Sequence, residues 1–124
     1  MKKLRGYIFS RSFMGERVPQ HVQNIVIRDY CSRHEFEYLL SAAEYAMDDC
    51  HLVFEQIMER LTDIDGIVLY SLFQLPFSDK NREKIFKKIL DEEKSLHFAV
   101  EGLSAENDDS VAIVEDIWKV RKVL

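Results

Sequence analysis

Serine and arginine side chains gather directly after the first short apolar run of the sequence, where they could bind a charged ligand. Ser10, Arg11, Ser12 and Arg17 all lie within this segment. Arginine guanidinium groups bind phosphate and carboxylate through paired hydrogen bonds, and serine hydroxyls can bind the oxygen atoms beside them. The segment therefore predicts a site for an anion.

Two later apolar runs end in polar residues that could complete the same site. Ser71 and Gln74 follow the third run, and Glu101 follows the fourth. The full predicted ligand-binding set is Ser10, Arg11, Ser12, Arg17, Ser71, Gln74 and Glu101. Glu101 or His21 could move a proton there, but no catalytic residue can be assigned. The alternative, given even weight, is that these side chains only cap strands and helices at the surface.

The sequence lacks the motifs of several other kinds of site. It has no glycine-rich phosphate loop and no dinucleotide-binding fingerprint. Its two cysteines, Cys31 and Cys50, are too far apart for a redox pair, and its four histidines show no metal-ligand spacing. We therefore expect neither a cofactor nor a bound metal.

Composition limits the class of protein. The chain has 124 residues, of which 47% are hydrophobic and 31% charged, which suits a single domain over residues 1–124. No apolar run approaches the roughly 20 residues that span a bilayer, and the run after the basic N-terminus is too short for a signal peptide. We expect a cytoplasmic protein without membrane contact. The formal net charge of −5 argues against a DNA-binding domain, which is normally basic.

Four short apolar runs alternate with four longer helical patterns. The runs occupy residues 4–9, 36–40, 64–72 and 96–100. The helical patterns begin near Pro19, Asp48 or Asp49, Ser78 or Asp79, and Asp108 or Asp109, residue types that can start a helix. This alternation predicts a three-layer α/β domain with a four-stranded, mostly parallel sheet.

The flavodoxin-like strand order 2-1-3-4 is predicted for this sheet, because right-handed crossovers leave few alternatives. Residues 66–70 are apolar without alternation, as expected for a central strand that is covered on both faces. In such sheets ligands bind beyond the carboxyl ends of the strands, where the strand order reverses. We therefore expect the ligand between strands 1 and 3.

The last helical pattern offers a possible contact with another subunit. Its apolar positions include Val111, Val114, Ile117 and Trp118, and the chain ends in two further apolar residues. Such a helix can pack entirely on its own core or can dock a second subunit. A homo-oligomer formed through the C-terminal helix is therefore a possible partner arrangement.

Residues 6–12, followed by a helix that contains Gln23 and residues 28–31, resemble the opening of a serine recombinase (resolvase-type) catalytic domain. Residues 64–75 are similar to the strand that leads into the Leu-Asp-Arg-Leu-Ser-Arg motif of that family. Phe13, however, stands where the nucleophilic serine would be, and Phe73 and Gln74 replace the aspartate and arginine of the motif. These 124 residues contain neither a long basic helix nor a helix-turn-helix, and we therefore expect no DNA-binding segment. The resemblance therefore implies a resolvase-like fold, without recombination activity and without DNA as a partner.

Nearly the entire chain also resembles the sporadic carbohydrate cluster proteins, a small bacterial family. The similar segments are residues 5–11, 14–24, 27–31, 70–76 and 97–101. Members are encoded among genes for surface-polysaccharide synthesis. The resemblance implies a role in surface-carbohydrate biosynthesis, in which the strand ends bind an anionic intermediate such as a nucleotide-sugar. The alternative is a non-catalytic interaction or oligomerisation module that organises the enzymes of that pathway.

Overall fold

Strands and helices alternate along the chain in the computed structural model, which describes residues 1–124. The strands are β1 (Lys3–Ile8), β2 (Glu37–Ala43), β3 (Gly66–Leu69), β4 (Ser95–Phe98) and β5 (Leu103–Ala105). The helices are α1 (Gln20–Arg33), α2 (Leu52–Glu59), α3 (Asp79–Asp91) and α4 (Asp108–Val123). Two single-turn 3-10 helices, Leu61–Asp63 and Leu72–Gln74, flank β3. The predicted α/β alternation is confirmed.

The sheet has the order β2-β1-β3-β4-β5. The pairs β1–β2, β1–β3 and β3–β4 are parallel, which confirms the predicted mostly parallel sheet and its order 2-1-3-4. The predicted number of four strands is wrong, because β5 pairs antiparallel with β4 as a fifth strand. The chain reverses just before β5 at Gly102, whose φ of 66° suits a residue without a side chain. Three residues are too few to show a strand pattern in the sequence.

The helices cover both faces of the sheet and form the three layers. On one face Ile27 and Tyr30 of α1 pack against Val68 of β3. On the other face α2, α3 and α4 share a core of 17 buried residues with Ile67 and Leu69 of β3. Every residue of β3 is buried, as the uninterrupted apolar run predicts.

Because of polar contacts, several strands and helices begin or end at residues other than those predicted. The third strand ends at Leu69 and not at residue 72, because Ser71 and Gln74 cap the 3-10 helix that follows it. The N-cap of α4 is Asn107, whose side chain accepts a hydrogen bond from the backbone of Ser110 at 2.9 Å, and not Asp108 or Asp109. No helix has the length and apolar character needed to cross a bilayer.

A buried histidine lies under α1 on the sheet face that this helix covers. His97 of β4 is 2% exposed, and its two ring nitrogens contact the hydroxyls of Tyr30 at 2.9 Å and Ser95 at 2.8 Å. The ring of Phe36 packs 4.8 Å from the imidazole. Burial lowers the pKa of His97 to about 4, because the charged imidazolium would lose its hydration.

The protein is expected to lose stability as the pH falls from about 6.5 to about 4 because of His97. The unfolded chain binds a proton on this residue near pH 6.5, whereas the folded protein resists protonation until about pH 4. The free energy of unfolding should therefore be about 2 kcal/mol lower at pH 5 than at pH 7.5. Urea unfolding at the two pH values measures this difference.

Two histidine variants test whether His97 causes this pH dependence of stability. His97→Gln should lose most of the pH-dependent difference, while His21→Gln, at an exposed position of α1, should keep it. If both variants retain the full difference, another group causes it.

Candidate functional site

Two buried glutamine side chains join the carboxyl ends of β1 and β3. Gln74 donates from Nε2 to Oε1 of Gln23 at 2.9 Å, and both side chains are fully buried. Gln23 Oε1 also accepts the backbone N–H of Phe9 at 3.0 Å. Its Nε2 donates to the carbonyl oxygens of Phe9 at 2.9 Å and Val18 at 2.8 Å. Protein amides therefore occupy the position between β1 and β3 at which we expected a ligand.

Ser71, Gln74 and Glu101 come together as predicted, but they bind one another and the backbone. The Ser71 hydroxyl donates to Glu101 Oε2 at 2.7 Å, and the Leu72 N–H donates to Glu101 Oε1 at 3.0 Å. The Ser71 N–H donates to Gln74 Oε1 at 3.3 Å. These contacts hold the turn after β3 against the loop after β4.

Ser10 and Arg11 contact the segment that follows β2. Arg11 donates from Nη1 to the carbonyl oxygens of Tyr45 at 3.0 Å and Cys50 at 2.9 Å. Its guanidinium lies 4.0 Å from the centre of the Phe9 ring. The Ser10 hydroxyl donates to the carbonyl oxygen of Glu44 at 3.0 Å. Nη1 of Arg11 thus closes a loop of the protein, while Nε and Nη2 make no hydrogen bond within it.

Glu44 is the central carboxylate of this region, although the predicted set does not include it. It is 2% exposed, and Oε1 accepts hydrogen bonds from the Tyr7 hydroxyl at 2.8 Å and the Phe54 N–H at 3.2 Å. Oε2 accepts from the N–H groups of Tyr45 at 3.1 Å and Val53 at 3.0 Å. Glu44 therefore satisfies donors in the first turn of α2 from eight or more residues away in sequence.

This arrangement corrects the predicted start of α2. Neither Asp48 nor Asp49 caps the helix, and the side chain of its N-cap residue His51 makes no capping hydrogen bond. Burial alone would favour the neutral form of Glu44, but its hydrogen bonds outweigh burial and hold its pKa below the usual range. Burial and the bond to Glu44 raise the pKa of Tyr7 above its usual value. The sequence contains no signal for this distant carboxylate, because Asp48 and Asp49 lie where a capping residue is expected.

Ser12 and Arg17 are the two predicted site residues whose side chains remain exposed without a hydrogen bond or ion pair. They flank a short turn in which Phe13 and Glu16 exchange backbone hydrogen bonds at 2.9 and 3.0 Å. The phenyl ring of Phe13 anchors this turn by packing against Phe9, with ring centres 5.6 Å apart. Ser12 and Arg17 therefore take no part in the hydrogen bonds by which the other five residues contact the protein.

A cavity of about 820 Å³ lies between α2 and α3, and its lining extends to Cys50 and His51, which contact Arg11 and Gln74. Its walls carry Lys84 and Lys88 from α3 and two glutamates from α2, so its lining does not favour an anion. No three His, Cys, Asp or Glu side chains come together in a way that could hold a metal ion.

Comparison with known proteins gives structural matches only. No protein-family model and no curated protein matches the sequence. The chain superposes on the N-terminal catalytic domain of TP901-1 integrase with a TM-score of 0.69 and 10% identity, covering 96% of this chain and 95% of that one. A resolvase family site-specific recombinase from Streptococcus pneumoniae matches with a TM-score of 0.69 and 8% identity, over 96% and 88% of the two chains. The fold is resolvase-like.

This match confirms the fold that the first sequence resemblance implies, while nothing in the comparisons supports the sporadic carbohydrate cluster family. Phe13, at the position where that resemblance places the nucleophilic serine, packs between the rings of Phe9 and Tyr70. Gln74, at the position of a motif arginine, is buried against Gln23. An apolar ring and a buried amide therefore occupy two positions that the recombinase motif gives to chemistry.

Proposed function

We propose that the protein is a non-catalytic interaction module with a resolvase-like fold, and that it serves bacterial surface-carbohydrate biosynthesis. The observation that carries the proposal is an apolar surface along α4, here called the α4 face. It consists of the exposed residues Ile113, Val120 and Leu124 and of Phe73 and Ile117, which are half-buried and also pack against the core. The pathway assignment rests on the sequence resemblance described above.

The α4 face is a continuous surface. Ile113 is 52% exposed, Val120 is 59% exposed and Leu124 is 88% exposed, and their spacing places them on one side of the helix. Phe73 borders a shallow cavity of about 360 Å³ over the last two turns. Single exposed apolar residues are ordinary, but a connected row of them is typical of a surface that binds another protein.

The polar residues at the strand ends support a structural role more than a catalytic one. Arg11 Nη1 and Gln74 Nε2 donate to protein oxygens, and the Ser71 hydroxyl donates to Glu101. A catalytic group needs a polar atom that is free to contact a substrate. Binding of an anionic intermediate such as a nucleotide-sugar stays a prediction, which rests on the exposed pair Ser12 and Arg17 and which calorimetric titration would test.

Val120→Glu is expected to break the interaction, because it places a carboxylate in the middle of the α4 face. In native bacterial extract the wild-type protein should elute in an assembly larger than its 14.6 kDa chain. The variant should elute as a single chain, with its unfolding midpoint close to that of the wild type. Size-exclusion chromatography followed by immunodetection measures the size of the assembly, and urea unfolding of the purified proteins measures the midpoint.

The matched control is Ile25→Glu, because Ile25 is 63% exposed on α1, across the sheet from α4. It makes the same chemical change and should leave the assembly intact. The proposal fails if the wild type elutes as a single chain in extract and after purification, or if the two variants behave alike.

A further inference from the structure

We infer that the cavity between α2 and α3 binds a neutral saccharide. Its volume of about 820 Å³ is within the roughly 300–1,000 Å³ that is usual for small-molecule sites. The cavity shares no residue with the α4 face, so it adds a second binding surface to the one on which the proposed function depends. The chemistry of its lining selects the class of ligand.

The floor of the cavity is apolar. Phe54 and Met58 of α2 are 1% and 7% exposed, and the half-buried Ile85 of α3 also belongs to the lining. These side chains offer a ligand no strong hydrogen bond, so they favour C–H groups, through dispersion and through the release of water. A ligand that fits this floor therefore has an apolar side.

An exposed phenyl ring forms part of the rim. Phe77 lines the cavity and is 60% exposed. On its far side Lys122 lies 4.4 Å from the ring centre and Trp118 packs at 6.0 Å between ring centres, and neither of these two residues lines the cavity. Contacts with α4 thus cover one side of the ring and leave the other to the cavity. The negative face of an aromatic ring attracts the C–H groups on one side of a pyranose ring.

Two rows of polar side chains line the walls above the floor. Glu55 and Glu59 are four residues apart on α2, and Asn81 and Lys84 are three residues apart on α3, so each pair lies on one side of its helix. All four side chains are exposed and have no hydrogen bond or ion pair within the protein. About one helical turn, 5.4 Å, separates the members of a row, which is close to the width of a pyranose ring.

The two walls differ in the hydrogen bonds that they offer. The carboxylates on α2 only accept, the ammonium group of Lys84 only donates, and the amide of Asn81 does both. A sugar hydroxyl donates and accepts at the same time, so it can bind to either wall, and its bonds to charged groups are strong. A neutral polyhydroxy ligand therefore satisfies both walls without adding a charge.

Helix N-termini at the cavity would favour an anion, but acceptors of the protein already occupy them. Glu44 accepts the N–H groups of Val53 and Phe54 at 3.0 and 3.2 Å in the first turn of α2. Ser78 Oγ accepts the N–H of Asn81 at 3.3 Å in the first turn of α3. An anion would also lie near the glutamates of the lining and a cation near its lysines, whereas a neutral ligand meets neither repulsion.

The reactive side chains of the lining bind the protein, which favours binding of the ligand without its conversion. The Cys50 thiol donates to Glu44 Oε2 at 3.6 Å. The ring nitrogens of His51 contact the carbonyl oxygens of Asp49 at 3.3 Å and Gln74 at 3.0 Å. Neither group is free to act as a nucleophile or a base on a bound sugar.

A ¹H–¹⁵N NMR titration of the labelled protein tests the ligand class. Glucose, galactose, N-acetylglucosamine and N-acetylgalactosamine are the probes, and at least one should shift the amide signals of α2 and α3 residues in the lining while those of α1 stay in place. Glucuronate adds a carboxylate to the same ring, and glycylglycine carries both charges without a sugar ring. Both should bind about threefold or more weakly than the best neutral sugar.

Three variants test the contacts. Glu55→Ala should raise the dissociation constant about tenfold, because it removes a hydrogen bond to a charged group. Phe77→Ala should raise it about fivefold through the loss of the aromatic contact. Glu83→Ala makes the same change as Glu55→Ala at an exposed position of α3 outside the lining, and it should bind as the wild type does. Glu55 and Phe77 are exposed, so all three variants should keep the amide spectrum of the folded protein.

The inference is wrong if none of the four sugars shifts the cavity signals, or if the shifted signals lie elsewhere. It is also wrong if Glu55→Ala and Phe77→Ala bind the sugar as tightly as Glu83→Ala does. Glucuronate or glycylglycine bound more tightly than every sugar would show that the cavity selects a charge and not a neutral saccharide. The assembly that Val120→Glu tests is measured at the α4 face, so its outcome is separate from each of these results.

Discussion

Arg82→Met is expected to lower the free energy of unfolding by about 3–5 kcal/mol, which is a large share of the stability of a domain of this size. Methionine keeps much of the volume of arginine but has no charge and no donors. The loss should be visible in urea unfolding as a lower midpoint with an unchanged slope.

The size of this effect follows from the contacts of the guanidinium. Arg82 is 1% exposed, and its Nη1 donates to the carbonyl oxygens of Pro76 at 2.9 Å and Phe77 at 2.7 Å. Its Nε donates to Glu115 of α4 at 2.8 Å, and the group lies 4.2 Å above the Trp118 ring. Glu115 is 25% exposed and regains hydration when the guanidinium is removed, so most of the cost falls on the two carbonyl oxygens that lose their donor, at about 1–3 kcal/mol each.

The matched control is Arg33→Met, which removes an arginine whose ion pair with Asp29 is exposed on both sides. Exposed pairs contribute little, so this variant should change stability by less than about 1 kcal/mol. If Arg82→Met does not fold, Glu115→Gln provides a smaller change at the same contact. Equal effects of Arg82→Met and Arg33→Met would show that the buried network adds no stability.

The contacts of Arg82 show why the sequence predicts helices and strands better than it predicts which polar side chains are buried. In the sequence Arg82 lies among the lysines of α3 and has the appearance of another solvent-facing charge. Its burial depends on Trp118 and Glu115, which are more than thirty residues away. No local pattern distinguishes such an arginine from its exposed neighbours, because the deciding contacts come from another helix.

The strand order was predictable for the opposite reason. Parallel strands need crossover helices, and right-handed crossovers allow few orders, so the alternation of apolar runs and helical patterns restricts the sheet to a few orders that include the observed β2-β1-β3-β4. The fifth strand escapes this argument because its three residues pair through a local hairpin with β4. The rules for crossover connections limit the order of the longer strands, but they do not predict a short edge strand.

The candidate site was predictable in position but not in bonding. The carboxyl ends of parallel strands meet at one edge of the sheet, and Ser71, Gln74 and Glu101 accordingly lie close together. It does not show that Gln23, 51 residues before Gln74, fills the space between β1 and β3 with its amide. A polar residue at a strand end has the same appearance in the sequence whether it binds a ligand or another side chain.

Glu44→Gln is expected to cost about 3 kcal/mol of unfolding free energy, although glutamine has nearly the same shape. The carboxylate accepts hydrogen bonds from three backbone N–H groups, from the Tyr7 hydroxyl and from the Cys50 thiol, and both of its oxygens face donors. A glutamine NH₂ must point at two of these donors, so that they remain buried without an acceptor at about 1–3 kcal/mol each. The substitution also removes a negative charge from the N-terminus of α2, where the helix dipole favours it. Urea unfolding measures the loss.

Glu59→Gln, an exposed change at the last residue of α2, is the control and should change stability by less than about 0.5 kcal/mol. The pH dependence separates the charge from the shape. The pKa of Glu44 lies below its unfolded value in the folded protein, so its contribution is present at neutral pH and is lost as the pH falls through the folded pKa. The difference between wild type and Glu44→Gln should therefore narrow in acid. A constant difference from neutral pH into the acid range would contradict an ionised Glu44, and the loss would then come from packing alone.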